Sequence, residues 1–193
     1  KNEKICNLNL NMNDSNSLLA ISPVDGRYYK KTKILAEYFS EYALIKYRVK
    51  VELEYFKALG KQKLLKISKK DINALNSIIS NFTIKDAQKV KDFEKITNHD
   101  VKAVEYYLKE KLEEVGLSKQ KEFVHFGLTS QDINNTAVPL SIKESLEDIY
   151  FPAIDDLLQK LEKISLEWKN KPMLARTHGQ AASPTTIGKE IAV

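Results

Sequence analysis

Apolar side chains recur three and four positions apart through most of this chain, the spacing that lines up one stripe along a helix. Between 32 and 59 the stripe includes Leu35, Tyr42, Val49, Leu53, Phe56 and Leu59, and Gly60 follows as a stop, which predicts one long helix. Ile72, Leu75, Ile78 and Ile79 predict a shorter helix after Ser68, and Ala87, Val90 and Phe93 another that opens at Thr83. Asn98 reads as the N-cap of a helix whose buried face is Val101, Val104, Leu108, Leu112 and Val115, closed by Gly116. A further helix runs from near Ser130 toward Tyr150, with Pro139 expected to kink or interrupt it because proline lacks the N–H that the interior needs. Ile154, Leu157, Leu158, Leu161, Ile164 and Trp168 form the last stripe. No segment alternates with period two for long enough to predict a strand. The expected fold class is all-α.

Polar stretches divide this pattern. Residues 1–20 are Asn-rich without an apolar period and predict a flexible tail. Residues 21–118 predict a small helical N-terminal domain, and the polar run Lys119–Glu122 opens 119–193, the first long helices of a central bundle. The chain stops at Val193 with no helix-ending signal, so it reads as cut.

Charge and composition then narrow the classes of function. The net charge of +5 raises nucleic acid as a partner, but 26 acidic residues are interleaved with 31 basic ones. Lys85, Lys89, Lys91 and Lys95, for example, alternate with Asp86, Asp92 and Glu94, the pattern of a solvated helix face. No nucleic-acid partner is expected. No apolar run approaches the roughly 20 residues that cross a bilayer, and Asn, Lys and Asp occupy the stretch where a signal peptide would be apolar. The expectation is a cytoplasmic protein without a membrane partner. Cys6 is the only cysteine, which removes an internal disulfide and a cysteine-based zinc site. Only three of the basic residues are arginine, and two of them, Arg27 and Arg176, fall inside polar clusters, where a planar donor fork suits carboxylate or phosphate.

Four such clusters stand out. Arg176-Thr177-His178-Gly179-Gln180 sets an imidazole, which titrates near ~6.5 when unperturbed, between a hydroxyl, an amide and a turn-permitting glycine. It is either a polar turn or a proton-transfer site. Asn98-His99-Asp100 lies at a helix start, where unsatisfied N–H groups favour an anion. Capping accounts for Asn98 and Asp100 and leaves His99 unexplained. Thr129-Ser130-Gln131-Asp132 opens the next helix and is either a cap or an anion-orienting group, while His125, flanked by apolar residues, reads as a core or supporting histidine. The fourth is the turn Ser22-Pro23-Val24-Asp25-Gly26-Arg27-Tyr28. No helical His pair with nearby carboxylates and no Gly-rich phosphate loop is present, so neither a metal nor a cofactor is expected. The inventory suits an anionic small molecule and a proton transfer.

Taken together, these clusters resemble adenylosuccinate lyases, within the fumarase and aspartase superfamily. The resemblance is carried by Ser22–Tyr28, Thr97–Tyr106, His125-Phe126 with Thr129-Ser130 and Asp132–Asn135, and Arg176–Gln180 with Ser183–Glu190, in that order. It implies a homotetramer of long-helix bundles with active sites shared between subunits, and a nucleotide substrate, adenylosuccinate, cleaved to AMP and fumarate. It further implies that Arg27 and Tyr28 bind the nucleotide, that Asn98, His99 and Asp100 contact nucleotide and succinyl groups, that Thr129 and Ser130 hold the fumarate moiety, and that His178 is the general acid. The family's base, a serine on a loop, falls beyond Val193, so the 193-residue piece alone is expected to be inactive. Ala181 stands where relatives usually carry proline. Argininosuccinate lyase, fumarase or a non-catalytic helical relative are the alternatives.

Overall fold

The computed structural model describes residues 19–193, so the expected tail over 1–20 lies almost wholly outside the described residues. Two single turns, α1 (Tyr29–Thr32) and α2 (Ala36–Phe39), lead into α3 (Glu41–Lys61). Then follow α4 (Lys69–Ser80), α5 (Ile84–Thr97), α6 (Asp100–Glu114), α7 (Ser130–Ser145) and α8 (Phe151–Glu167). An antiparallel hairpin, β1 (Pro172–Thr177) and β2 (Gln180–Thr186), precedes the short α9 (Ile187–Ala192). The helical class holds, with this hairpin as an addition that its mostly exposed strands, poor in β-branched residues, did not announce.

Local chemistry explains where the helices start. Ser68 and Thr83 each form a capping box, trading hydrogen bonds with Asp71 and Asp86, and α4 and α5 begin where the sequence predicts. The single helix expected over 32–59 is instead divided at Ser40, whose backbone is extended and whose Oγ accepts the Ala43 amide at 3.1 Å. Periodicity continues across such a break because the cap costs the pattern only one polar position. Gly60 is not the stop either: α3 runs to Lys61, and Gly60 lies against the Ile67 side chain, where a Cβ would collide. Pro139 sits inside α7 without ending it, and a π-helical turn over Leu146–Tyr150 comes only later. Removing one N–H costs one rung of the ladder, and the turns on either side keep the helix going.

The chain forms two compact units, one up to Lys143 and one over Glu144–Val193. In the first, Val49, Leu53 and Phe56 of α3 pack with Leu75, Val90, Tyr107, Leu108 and Leu112 into one apolar core. At about 1.5–3 kcal/mol for each fully buried side chain of this size, the cluster dominates that unit's stability. Asp86 ties its capped helix start to α6 by accepting from the Tyr107 hydroxyl at 3.0 Å. The second unit is held differently. The Ile187 and Gly188 amides bond to the Lys171 and Trp168 carbonyls at 2.9 and 3.1 Å, and Ser165 Oγ donates to the Gly188 carbonyl at 2.7 Å. Gly188 is buried there, and a Cβ on it would strike the backbone of Ser165 and Lys169. Leu157, Leu158 and Leu161 of α8 are exposed. No helix among the described residues is long and apolar enough to cross a membrane.

Candidate active site

In the first unit, α5 hands over to α6 through two residues. Asn98 takes the left-handed conformation (φ 51°) and ends α5, while His99 is extended and caps α6. The expected N-cap is therefore shifted by one position: the cap acceptor is the His99 ring, whose Nδ1 receives the Lys102 amide at 3.2 Å. A nitrogen that accepts cannot also carry the proton, so the proton of the neutral ring sits on Nε2. That nitrogen lies 3.4 Å from Ser130 Oγ, at the start of α7. Two of the predicted binding residues, far apart in sequence, are thus neighbours.

Asp100 has both carboxylate oxygens engaged. Oδ1 accepts the Val101 amide at 2.8 Å, and Oδ2 is 2.7 Å from Nη2 of Arg48. Burial alone would push this carboxyl up, but the Val101 amide and the Arg48 charge outweigh it and hold the group below its usual range. Arg48 is buried in α3, and its Nε donates to Asn134 Oδ1 on α7 at 2.9 Å. On the same helix start, Asp132 Oδ2 accepts from the Thr129 amide at 2.7 Å and from its hydroxyl at 2.9 Å, which lowers the Asp132 carboxyl.

The loop leading into Thr129 is pinned from beneath. His125, in the left-handed region (φ 59°), places Nδ1 2.6 Å from Oε1 of the buried Glu52 and Nε2 4.0 Å from Oε1 of Glu105. The ring is mostly buried, in keeping with the supporting role expected of it. Burial pushes the Glu52 carboxyl up against the pull of the His125 ring, and Glu52 Oε2 has no hydrogen-bond partner among the described residues. Tyr55 adds a hydroxyl bond to the Phe126 carbonyl at 2.8 Å. Sequence reasoning passed over Arg48 and Glu52. The signal was available: two charged residues one turn apart in an otherwise apolar helix face, one of them the third arginine of a lysine-rich chain.

Arg27 and Tyr28 precede α1 and are exposed, with the guanidinium carbon 5.5 Å from the centre of the Tyr28 ring. In the second unit, His178 and Gly179 form the two-residue link between β1 and β2, both with positive φ (51° and 79°) and closed by the Thr177–Gln180 pair. Positive φ at both central positions is the signature of a type I′ hairpin turn, a conformation uncommon outside glycine that histidine enters more readily than most side chains. Its imidazole is presented at the exposed tip of the hairpin. Between the Leu174–Pro184 and Arg176–Ala181 pairs the register shifts by one residue, an irregularity next to Arg176. Four described non-glycine residues have positive φ, and three of them, Asn98, His125 and His178, fall in these clusters. Backbone strain of this kind collects where function fixes the geometry.

The chain is similar to known proteins. The chain is 55% identical over 186 residues to adenylosuccinate lyase of Dictyostelium discoideum, covering 92% of this chain and 40% of that protein. It is 42% identical over 181 residues to adenylosuccinate lyase of Escherichia coli (strain K12), covering 91% and 40%. The chain therefore spans about two fifths of the length of the curated relatives it matches. Among solved structures, a fumarate lyase from Mesorhizobium sp. BNC1 superposes with a TM-score of 0.65 at 23% identity, over 82% of this chain and 35% of that one. A family model described as lyase matches residues 26–193. Because that match takes in both helix starts and the hairpin, the chain belongs to the lyase family.

Proposed function

We propose that this chain is the N-terminal part of an adenylosuccinate lyase, a cytoplasmic homotetramer that splits adenylosuccinate into AMP and fumarate, and the succinylated aminoimidazole carboxamide ribotide likewise. One observation carries the reading. Identity to proteins named adenylosuccinate lyase is 42–55% over nine tenths of the chain, whereas the fumarate lyase structure shares only 23%.

The reaction needs a proton removed from the carbon beside a carboxylate and a proton delivered to the departing nitrogen as the carbon–nitrogen bond breaks and its electron pair moves onto nitrogen. His178 delivers that second proton. Thr129 and Ser130 hold the carboxylates of the fumarate moiety, where negative charge develops, and the His99 Nε2–H is available as a further donor. Asn98, His99 and Asp100 contact nucleotide and succinyl groups, and Arg27 and Tyr28 bind the nucleotide. The base is a serine loop of the complete protein, so the 193-residue piece alone is inactive. Residues 21–118 form the N-terminal domain, and 119–193 begin the central bundle. No metal or cofactor takes part.

An absorbance assay of the complete protein tests this. Cleavage of adenylosuccinate with no turnover of argininosuccinate or malate is the expected result. Turnover of argininosuccinate or malate in its place overturns the assignment, and no turnover of any of the three favours a non-catalytic relative.

A further inference from the structure

Resting on that reading, we propose that Arg48 is a positioning residue: its buried guanidinium clamps the starts of α6 and α7 together and so sets the distance between His99 and Ser130. One edge of the guanidinium serves both helices, with Nη2 2.7 Å from Asp100 Oδ2 and Nε 2.9 Å from Asn134 Oδ1. Asp100 is the neighbour of His99. Asn134 is one helical turn beyond Ser130, so a shift of either acceptor carries a site residue with it. The His99–Ser130 contact spans 31 positions of sequence at 3.4 Å, and neither residue has a strong direct bond to the other helix.

Arginine is required by this geometry. Its planar fork presents two donors in fixed directions to acceptors on separate helices, whereas a lysine keeps the charge and offers a single flexible head. The side chain is only 7% exposed, so it can reach substrate only through the groups it holds. Asp100, with both oxygens occupied, acts as one jaw of the clamp. A misplacement of about 1 Å among site groups costs a reaction roughly 100-fold, because the developing charge is met out of position.

The test uses Arg48→Lys and, as the opposite jaw, Asn134→Leu, singly and together in the complete enzyme. Arg48→Lys is expected to lower kcat about 100-fold, with KM for adenylosuccinate within about threefold and the melting temperature close to that of the parent. The double variant should be no worse than the poorer single, since both act through one clamp. Crystal structures of the variants supply an arm that needs no turnover: His99 Nε2 and Ser130 Oγ should lie beyond hydrogen-bond distance. Parental kcat in both singles, losses that multiply in the double, losses that track a fall in melting temperature, or an unchanged His99–Ser130 separation overturn the clamp. Failure of the parent to cleave adenylosuccinate overturns the functional reading instead, and the crystallographic comparison still decides the clamp. If Arg48→Lys does not fold, Asn134→Leu carries both measurements.

Discussion

The two units hold their histidines by different means. Up to Lys143, the rings themselves are engaged, over an apolar core built on α3: His99 accepts the Lys102 amide that it caps and neighbours Ser130, and His125 meets the buried Glu52. From Glu144 onward, His178 is held among the described residues through the backbone, at a turn whose two central residues both have positive φ. Among the described residues of that second unit only Ser145 and Gly188 are buried. Packing fixes a side chain to within a rotamer, while a tight turn fixes the main chain and leaves the imidazole free to rotate about its own bonds. Under the proposed function, the binding groups have the first kind of precision and the proton donor has the second.

The sharpest way to break this contrast is His178→Ala in the complete enzyme. Turnover should fall by about 10³-fold or more, with the melting temperature and assembly unchanged, because His178 and Gly179 are exposed among the described residues. Near-parental kcat would remove His178 as the acid. The opposite pattern belongs to Glu52→Ala, which strips the partner from a buried imidazole and leaves a cavity in α3: about 3 kcal/mol of stability lost in urea unfolding. A loss below about 1 kcal/mol would show that the brace is not structural.

Within the second unit, Gly188→Ala puts a methyl into the backbone of Ser165 and Lys169 and should cost about 2 kcal/mol by the same measurement. A neutral result would mean that α9 moves away freely from α8. The smallest effect is Asp86→Asn. Burial raises that carboxyl, but the Thr83 hydroxyl and amide and the Tyr107 phenol outweigh it, so its folded pKa lies below the ordinary value of about 3.9. The stability it adds is therefore present above about pH 4 and is lost as pH falls through the folded value. Asp86→Asn should cost about 1 kcal/mol at neutral pH, with the gap to the parent closing in thermal melts below about pH 4. A gap constant down to pH 3 would assign the effect to shape and not to charge.

The helical plan was legible because long stripes such as Leu53–Phe56 and Leu108–Leu112 announce burial at any register. Caps were less so. Ser40 interrupts a pattern that runs on regardless, and His99 replaces Asn98 as the cap because an imidazole nitrogen can accept an amide that composition assigns to asparagine. The hairpin was hidden because β1 and β2 carry few β-branched or aromatic residues and a proline each, although His178-Gly179 carried the glycine of its turn. Arg48 and Glu52 were overlooked for a common reason: inside an apolar stripe a charged side chain looks like noise until its partners, 86 and 73 positions away, are known.

Position 98 offers an experimental convenience. Since the main chain there already adopts the mirror-image region that glycine enters without penalty, Asn98→Gly deletes a carboxamide and leaves the bend from α5 to α6 intact. A β-branched replacement does the reverse, distorting the bend whatever the side chain offers to a ligand. The pair of substitutions separates the contribution of the amide from that of the corner.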